Sequence, residues 1–337
     1  MRQRETSIQL AHGGGGVMSR NLIRDEIVSR FGRGPLEGLP DAARISIAGR
    51  ELLFTTDSYV VTPLEFPGGN IGSLAVHGTV NDLAVSGGRP RWLSLGLILE
   101  EGLPFEVLRR VLDAIVAAAT ACDVRVATGD TKVVARGQCD GMFINTSGIG
   151  DPIPGFRLGP ERLRPGDWVL ASGTLGDHGM AVLAARAGIG IMGGPVSDSA
   201  PVHRLVEAAA AFAGGVRFMR DPTRGGIASV LNEAVEGQAV GILLREAVLP
   251  FAPGTRSAAE MLGLDLLNVA CEGRLLMICE PGVGEGILET WHRLPEGQRA
   301  CRIGEVDDRG GAVILETVMG SRRLVDVPQG EVLPRIC

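Results

Sequence analysis

The sequence predicts a mixed α/β (α+β) protein of two domains, and three observations support that prediction. The chain has 337 residues, more than one hydrophobic core usually needs. Stretches with strand-like alternation are interleaved with apolar stripes at helical spacing. Residues 151–167 (DPIPGFRLGPERLRPGD) are rich in proline and glycine, which is typical of a linker. We therefore predict an N-terminal domain at 1–155, a C-terminal domain at 156–326 and a tail at 327–337.

The N-terminal half predicts strands on either side of two helices. Residues 45–61 alternate and carry β-branched side chains, which predicts a strand pair with Asp57 at a strand end. A helix is predicted to follow in GNIGSLAVHG, with Asn81 and Asp82 beyond its end. Pro104 is expected to open a second helix, which carries one apolar stripe and ends at ACD. VRVATGDTKVV predicts two strands joined by a tight turn at Gly129 and Asp130.

The C-terminal half repeats a strand, turn and helix pattern. LASGTLGDHGMAVLAARAG and DPTRGGIASVLNEAVEG each place a glycine-bearing turn before an apolar helical face. MICEPG and GAVILETV supply further strand candidates. The closing VPQGEVLPRIC has two prolines and little apolar periodicity, so we predict a mobile tail.

Composition and charge argue against several classes of protein. The net charge is −6 and no basic run occurs, so a nucleic-acid partner is not expected. The N-terminus lacks the apolar stretch of a signal peptide and no segment approaches a membrane-spanning length, which predicts a cytoplasmic protein. The six cysteines form no CxxC pair or disulfide framework, and only Cys337 lies outside an apolar pattern.

Three aspartates in the first half suggest a magnesium site. Asp57, Asp82 and Asp130 lie in TTDSYVV, VNDLAVSGG and TGDTKVV, which the patterns place at turns or strand ends. Carboxylates that converge there suit Mg²⁺, which is often held by one or two carboxylates together with substrate phosphates. Each aspartate alone is more typical of a turn or a helix cap, but three in such settings favour a metal site.

Two glycine-rich stretches are candidates for binding a phosphate. Gly13, Gly14 and Gly15 belong to AHGGGG, which can present backbone N–H groups to an anion but lacks the ending of a P-loop. A flexible N-terminal arm explains the same residues. DPTRGG precedes a helix, where Arg224 can meet an anion, or where Asp221 or Thr223 can cap the helix.

Two further residues draw attention because of their type and position. Lys132 is the single lysine among 33 basic residues, which fits equally a role that guanidinium cannot fill and chance within an arginine-rich composition. Glu272 in NVACEGRLLMI stands at a glycine-flanked break before an apolar run, where a structural turn is also expected.

These motifs together resemble the HypE family of hydrogenase maturation factors, in the superfamily of aminoimidazole ribonucleotide synthetase and selenophosphate synthetase. The resemblance covers nearly the whole chain and rests on AHGGGG, TTDSYVV, VNDLAVSGG, TGDTKVV, SGTLGDHG, DPTRGG, CEGR and the closing PRIC. PRIC, with its terminal Cys337, is the most specific motif. The resemblance implies a homodimer whose N-terminal domains pair into a shared β-barrel, with ATP near the interface.

The resemblance also implies a role for each candidate residue. Mg²⁺ and ATP would be held by the residues Gly13, Gly14, Gly15, Asp57, Asp82, Gly129, Asp130, Thr131 and Asp221, of which Asp57, Asp82 and Asp130 would be the metal ligands. Lys132 and Glu272 would face Cys337. The family carries a carbamoyl group on this thiol and dehydrates it with ATP to a thiocyanate, the source of the cyanide ligands of [NiFe]-hydrogenase iron. A HypF-like carbamoyltransferase and a HypC–HypD-like iron scaffold would be the partners.

Two other functions fit parts of the same sequence. A small-molecule synthetase or kinase of the superfamily would keep the nucleotide site without needing a terminal thiol. A selenophosphate synthetase would need a reactive cysteine near the first glycine loop, but no cysteine precedes Cys122. A non-catalytic scaffold would use the tail only to dock on a partner.

Overall fold

The N-terminal half folds into an open five-stranded sheet with two long helices on one face. The structure is a computed structural model that describes residues 7–14, 16–31, 39–188, 193–327 and 335–337. The sheet order is β1-β2-β7-β5-β6, and β3 and β4 form a separate hairpin. The strands are β1 (Ala43–Ile47), β2 (Arg50–Tyr59), β3 (Glu65–Phe66), β4 (Gly69–Asn70), β5 (Gly88–Glu100), β6 (Arg125–Val134) and β7 (Met142–Pro152). The helices are α1 (Val17–Asn21), α2 (Ser29–Phe31), α3 (Ile71–Val85) and α4 (Phe105–Ala121), with a π-helical stretch at Leu22–Val28 and a 3₁₀ turn at Leu10–Gly13.

The helix at residues 71–85 is longer than the sequence predicted. Asn70 caps it by accepting hydrogen bonds from the backbone N–H groups of Gly72 and Ser73. Asn81 and Asp82 lie inside α3 instead of beyond its end, so the placement of Asp82 at a turn is wrong. The last turn continues through Leu83, because that side chain is fully buried against the sheet.

The stretch around Gly129 forms one strand instead of two. β6 runs beside β5 in parallel, with Leu95 opposite Gly129 and Gly96 opposite Asp130. A Cβ on Gly129 would lie 2.4 Å from the carbonyl oxygen of Leu95, so glycine is needed for this close strand contact. The predicted Gly-Asp turn is therefore wrong, whereas the helix after Pro104 is confirmed.

The C-terminal half forms a seven-stranded mixed sheet between helices. Its order is β14-β13-β10-β12-β8-β11-β9. The strands are β8 (Trp168–Ala171), β9 (Val216–Arg220), β10 (Gly241–Arg245), β11 (Leu276–Cys279), β12 (Cys301–Asp307), β13 (Val313–Glu316) and β14 (Arg322–Leu324). The helices are α5 (Asp177–Arg186), α6 (His203–Ala209), α7 (Gly226–Val235), α8 (Pro253–Leu262) and α9 (Pro281–His292). Short 3₁₀ turns occupy Pro160–Arg162, Ala210–Gly215, Glu246–Val248, Leu266–Asn268 and Pro295–Gly297.

The two halves pack against each other through apolar side chains. One buried cluster joins Leu74 and Ile144 of the first half to Met180 of the second, and it includes Ile336 near the chain end. Another joins Val85 to Leu205. This packing holds residues from both halves in fixed positions along the cleft between them. The first sheet ends at Pro152 and the second begins at Trp168. The domain limits at 155 and 326 stay predictions.

The face of the first sheet opposite α3 is open and apolar. Phe54, Trp92, Ile98 and Ile149 lie on it, each between 37% and 45% exposed. Neither main sheet of the described residues closes into a barrel, so the mixed α/β two-domain fold is confirmed while the barrel stays a prediction about a dimer. Along the described chain, no helix combines the length and hydropathy that a membrane span requires.

Candidate functional site

Three carboxylates from three different elements meet in the cleft between the halves. Asp41 precedes β1, Asp82 lies in α3 and Asp221 follows β9. One oxygen from each lies within 4.8 Å of the others. We call Asp41, Asp82 and Asp221 the acidic cluster. The sequence prediction included Asp82 as a metal ligand and Asp221 as a cofactor ligand, and it missed Asp41.

The surroundings of the acidic cluster disfavour its negative charge. Burial, followed by the charges of Asp41 and Asp57, raises the pKa of Asp221 to about 8. Burial and the neighbouring carboxylates also raise the pKa of Asp82 well above its usual range. Thr55 donates a 2.8 Å hydrogen bond to Asp82, and Arg220 pairs with Asp41 at 3.0 Å. The cluster is thus only partly neutralised by the protein itself.

The acidic cluster fits a magnesium ion. Opposite ligands of an octahedral Mg²⁺ lie about 4.2 Å apart, because each metal–oxygen distance is about 2.1 Å. The three oxygens all lie within 4.8 Å of one another, so the carboxylates are close enough together to share one cation. Buried carboxylates with raised pKa values repel one another, and a divalent cation relieves that repulsion.

Asp57 lies beside the cluster and is held by its own strand. The hydroxyl of Tyr59 donates a 3.0 Å hydrogen bond to Oδ2 of Asp57. A Cβ on Gly78 would come within 2.1 Å of that hydroxyl oxygen, so glycine at this position of α3 makes room for the tyrosine. Burial raises the pKa of Asp57, and the positive charge of Arg224 lowers it.

Glu272 is a buried carboxyl group that is affected by the charges of Asp221, Asp57 and Arg224. Its residue is only 2% exposed, and Oε1 has no hydrogen-bond partner among the described residues. Its backbone is fixed, because Asn81 donates to the Glu272 carbonyl at 3.2 Å and the Glu272 N–H donates to Asp198 at 3.2 Å. Burial, then the charges of Asp221 and Asp57, raise the pKa of Glu272 well above its usual range.

The two glycine-rich stretches lie together. Arg224 donates a 3.2 Å hydrogen bond to the carbonyl of Gly13, which joins DPTRGG to AHGGGG. Gly14 is buried next to it, and Gly15 lies outside the described residues. Neither Asp221 nor Thr223 caps α7, because the N-cap is Gly225 in a left-handed conformation with no side-chain cap. The capping alternative is therefore wrong, and Asp221 is available to the acidic cluster.

The chain end lies in this cleft, against β2. We call Arg335, Ile336 and Cys337 the terminal tripeptide. The N–H of Val60 donates to the Cys337 carbonyl oxygen at 3.1 Å, and the N–H of Thr62 donates to Arg335 at 3.3 Å. Arg335 forms an ion pair with Asp140 and donates to the Val60 carbonyl at 3.0 Å. Ile336 is 5% exposed within the apolar cluster between the halves.

The terminal tripeptide is electrostatically linked to the acidic residues. The negative charge of Cys337 is the largest factor that raises the pKa of Arg224, and the charges of Asp57 and Glu272 raise it further. The Arg224 guanidinium therefore interacts electrostatically with all three groups. The predicted mobile tail mostly falls at 328–334, outside the described residues.

Asp130 and Lys132 lie apart from the acidic cluster. Lys132 pairs with Asp130 at 2.8 Å, and both side chains are 70% exposed. The N–H of Thr131 donates to Asp130 at 2.9 Å. β6 is separated from β2 by β7 and β5, so Asp130 is three strand spacings, roughly 14 Å, from Asp57. We call Asp130 and Lys132 the edge pair, since β6 is the last strand of its sheet.

Comparison with known proteins decides the family. Residues 40–151 match the AIR synthase related protein N-terminal domain, and residues 164–316 match its C-terminal domain. The chain is 46% identical to carbamoyl dehydratase HypE of Rhodobacter capsulatus over 100% of both chains. The chain belongs to the HypE family.

Two solved HypE structures share this architecture. A HypE–HypF complex superposes with a TM-score of 0.86 at 41% identity, covering 91% of this chain and 99% of the other. A HypE structure in complex with ATP superposes with a TM-score of 0.82 at 43% identity, covering 98% of this chain and 100% of the other. Because the HypE relatives are named as carbamoyl dehydratases, the prediction of an enzyme is confirmed, as is the family resemblance drawn from the motifs.

Sequence patterns missed three residues of the site. Asp41 precedes β1 in GLPDAARI, where a proline and an acid before a strand are a usable signal. Tyr59 falls within the strand pair predicted at 45–61, and no sequence motif singled out Arg220. Their contacts with Asp41 and Asp57 depend on packing between distant segments, which no short spacing encodes.

Proposed function

We propose that this protein uses ATP to dehydrate a carbamoyl group carried on its own Cys337, giving a thiocyanate that supplies cyanide to [NiFe]-hydrogenase iron. The observation that carries this proposal is the position of Cys337, docked in the cleft beside Arg224 with Glu272 and the acidic cluster close by. A small-molecule synthetase would have no reason to keep its own C-terminal thiol in that place. A docking scaffold would not need buried carboxylates around it.

The reaction requires the carbamoyl oxygen to become a leaving group. In our proposal this oxygen attacks the γ-phosphorus of ATP, and the bond to ADP breaks. The amide nitrogen loses both of its protons, one to solvent as the O-phosphorylated intermediate forms and the second to a base. The carbon–oxygen bond breaks, phosphate leaves with the oxygen, and the carbon–nitrogen bond becomes a nitrile. The net change is loss of one water from the thiocarbamate, with ATP converted to ADP and phosphate.

Glu272 is suited to act as the base. Its raised pKa makes the ionised carboxylate a stronger proton acceptor than an ordinary glutamate near neutral pH. The fixed backbone of Glu272 sets its direction, and its unpartnered Oε1 leaves one oxygen for the substrate amide. Arg224 provides a positive charge that interacts with Cys337, Asp57 and Glu272, and this charge would stabilise the negative charge that develops on the carbamoyl oxygen.

Mg²⁺ bound at the acidic cluster would neutralise charge on the ATP phosphates. Asp82, Asp221 and Asp41 would hold it, with Asp57 beside them. Arg224 and the adjoining Gly13 and Gly14 would bind the phosphates from the other side. Gly15, which lies outside the described residues, is proposed to contribute to phosphate binding as well.

We propose that a homodimer completes the site. The edge pair is too far from the acidic cluster to act in the same chain, while the open apolar face with Phe54, Trp92 and Ile98 needs a cover. A second copy that packs its sheet on this face would cover it and bring Gly129, Asp130, Thr131 and Lys132 to the neighbour's cluster. Lys132 would then contact the transferred phosphoryl group as a compact ammonium ion.

The carrier cycle implies two partners, which we propose by analogy with the family. A HypF-like carbamoyltransferase would load Cys337, in keeping with the solved HypE–HypF complex. A HypC–HypD-like iron scaffold would accept the cyanide. Both need Cys337 to leave the cleft, which agrees with the tail predicted at 327–337.

Intact mass spectrometry of the C-terminal peptide tests the proposed function. The protein is first incubated with carbamoyl phosphate, the carbamoyltransferase and Mg-ATP to load Cys337. The loaded protein is then incubated with or without ATP, so that the dehydration step is followed separately. A carboxamide on Cys337 that loses one water only with ATP would support the proposal. Sustained ATP hydrolysis beside an unmodified Cys337 would favour a small-molecule kinase or synthetase instead. No hydrolysis above background would favour a scaffold.

A further inference from the structure

His178 contacts the terminal tripeptide from the C-terminal half of the molecule. It is the second residue of α5, and its side chain is fully buried. Nε2 lies 2.6 Å from the carbonyl oxygen of Ile336, and Nδ1 lies 2.8 Å from the hydroxyl oxygen of Ser197. The ring also packs edge-on against Phe66, with centroids 5.3 Å apart.

These neighbours select one tautomer of the ring. The Ile336 carbonyl can only accept a hydrogen bond, so Nε2 must carry the proton. The Ser197 hydroxyl can donate to Nδ1, while its oxygen accepts from the N–H of Ser199 at 3.1 Å. Burial lowers the pKa of His178, which keeps the ring neutral and this pattern intact at neutral pH.

The contact joins the two halves through the chain end. Val60 and Thr62 hold the tripeptide on the N-terminal side by backbone hydrogen bonds, and Arg186 of α5 donates to the Arg335 carbonyl at 2.8 Å. His178 bonds the Ile336 carbonyl from the C-terminal half of the molecule. It therefore acts on the peptide group that directly precedes Cys337.

We propose that His178 is a positioning residue that latches the terminal tripeptide in the cleft through the Ile336 carbonyl, with Ser197 fixing the ring. The role of this latch in catalysis rests on the proposed function. It keeps Cys337 beside Arg224 during dehydration and must open when the thiol is loaded or emptied. The His178 ring takes no part in bond making.

Carboxypeptidase Y digestion of the full-length protein tests the latch without relying on the reaction. Carboxypeptidase Y needs a free chain end. Intact mass spectrometry follows the removal of Cys337 and Ile336, and the rate of this removal reports the fraction of molecules whose chain end is undocked. We expect His178→Ala to accelerate removal about tenfold, since a lost buried hydrogen bond corresponds to a factor of this order. His178→Gln retains an N–H donor and should slow removal toward the wild-type rate.

Two further variants keep the test decisive. His178→Phe preserves a ring against Phe66 but cannot donate, so it should also accelerate removal even if the alanine variant folds poorly. His292 is a matched control, because its Nε2 bonds the Ala300 carbonyl at 2.8 Å elsewhere in the C-terminal half. His292→Ala should leave removal unchanged. Wild-type removal rates in folded His178→Ala or His178→Phe would overturn the latch.

A second readout separates failure of the latch from failure of the proposed function. In a single turnover of carbamoylated protein, His178→Ala should lower the rate of thiocyanate formation while ATP affinity stays unchanged. If wild-type protein forms no thiocyanate, the proposed function fails, whereas the digestion result still decides the latch. Faster digestion with an unchanged rate of thiocyanate formation would overturn the assignment of His178 as a positioning residue.

Discussion

The acidic cluster and the edge pair are made from similar residues, but they lie in opposite surroundings. Asp82 and Asp221 lie between the two halves, and their pKa values are raised by burial and by the charges of Asp57 and Asp41. Asp130 is exposed, and its hydrogen bond with Lys132 lowers its pKa. Asp41 of the first group pairs with Arg220, which offsets only part of the clustered charge, while Asp130 of the second group has Lys132 beside it. The difference shows that the surroundings, and not the residue type, set the direction of each pKa shift.

Asp82→Asn should give the largest effect on turnover. Removing one of the clustered carboxylates should lower Mg-ATP turnover at least about 100-fold, because loss of a metal ligand is more severe than loss of an outer partner. Differential scanning calorimetry should show that Mg²⁺ no longer raises the melting temperature. A variant that keeps normal turnover and the Mg²⁺-dependent shift would remove Asp82 from the metal site.

Lys132→Arg should lower thiocyanate formation by about 10- to 100-fold with the fold retained. The planar guanidinium cannot reproduce the position of an ammonium ion, and the exposed edge pair contributes little to folding. The melting temperature should therefore match the wild type. Arg125→Lys, on the same strand, is the control and should keep full activity. Normal activity of the Lys132 variant would defeat the special role of the single lysine.

Mixing two inactive variants should restore activity if the edge pair acts across a dimer. In a heterodimer of Asp82→Asn and Lys132→Ala chains, one site combines an intact cluster with an intact Lys132. Random exchange should then recover about a quarter of wild-type turnover, since half of the dimers carry one good site of two. Turnover that stays at the level of the separate variants would show that both groups act within one chain. Analytical ultracentrifugation checks that exchange has occurred.

The metal-free protein should lose stability as pH rises from about 5 to about 8. Asp221 has a pKa of about 8 in the folded state and an unfolded aspartate has one of about 3.9, so between these values only the folded state keeps the proton. Stability therefore falls through this window and levels off above about pH 8. Calorimetry in EDTA should show a decrease of about 3 °C or more, reduced in Asp82→Asn and in excess Mg²⁺. A melting temperature that rises with pH here would contradict the assignment.

Local patterns in the sequence predicted many elements correctly. The apolar stripe after Pro104 correctly predicted α4, and the apolar face that follows DPTRGG correctly predicted α7. Patterns failed where packing overrode them: Asp82 lies inside α3 because the following residues are buried, and Gly129 lies inside β6 because β5 pairs along its whole length. Both errors concern segments whose ends are set by distant neighbours.

The sequence by itself determined the family, the acidic and glycine-rich motifs and the terminal thiol, because these depend on residue type and order along the chain. Only the tertiary structure decided that Asp41 joins Asp82 and Asp221, and that the pair of Asp130 and Lys132 lies away from that cluster. It also decided that His178 contacts Ile336. Such contacts join residues far apart in the chain. Their distances follow from how the two halves pack around buried apolar side chains, which no local spacing records.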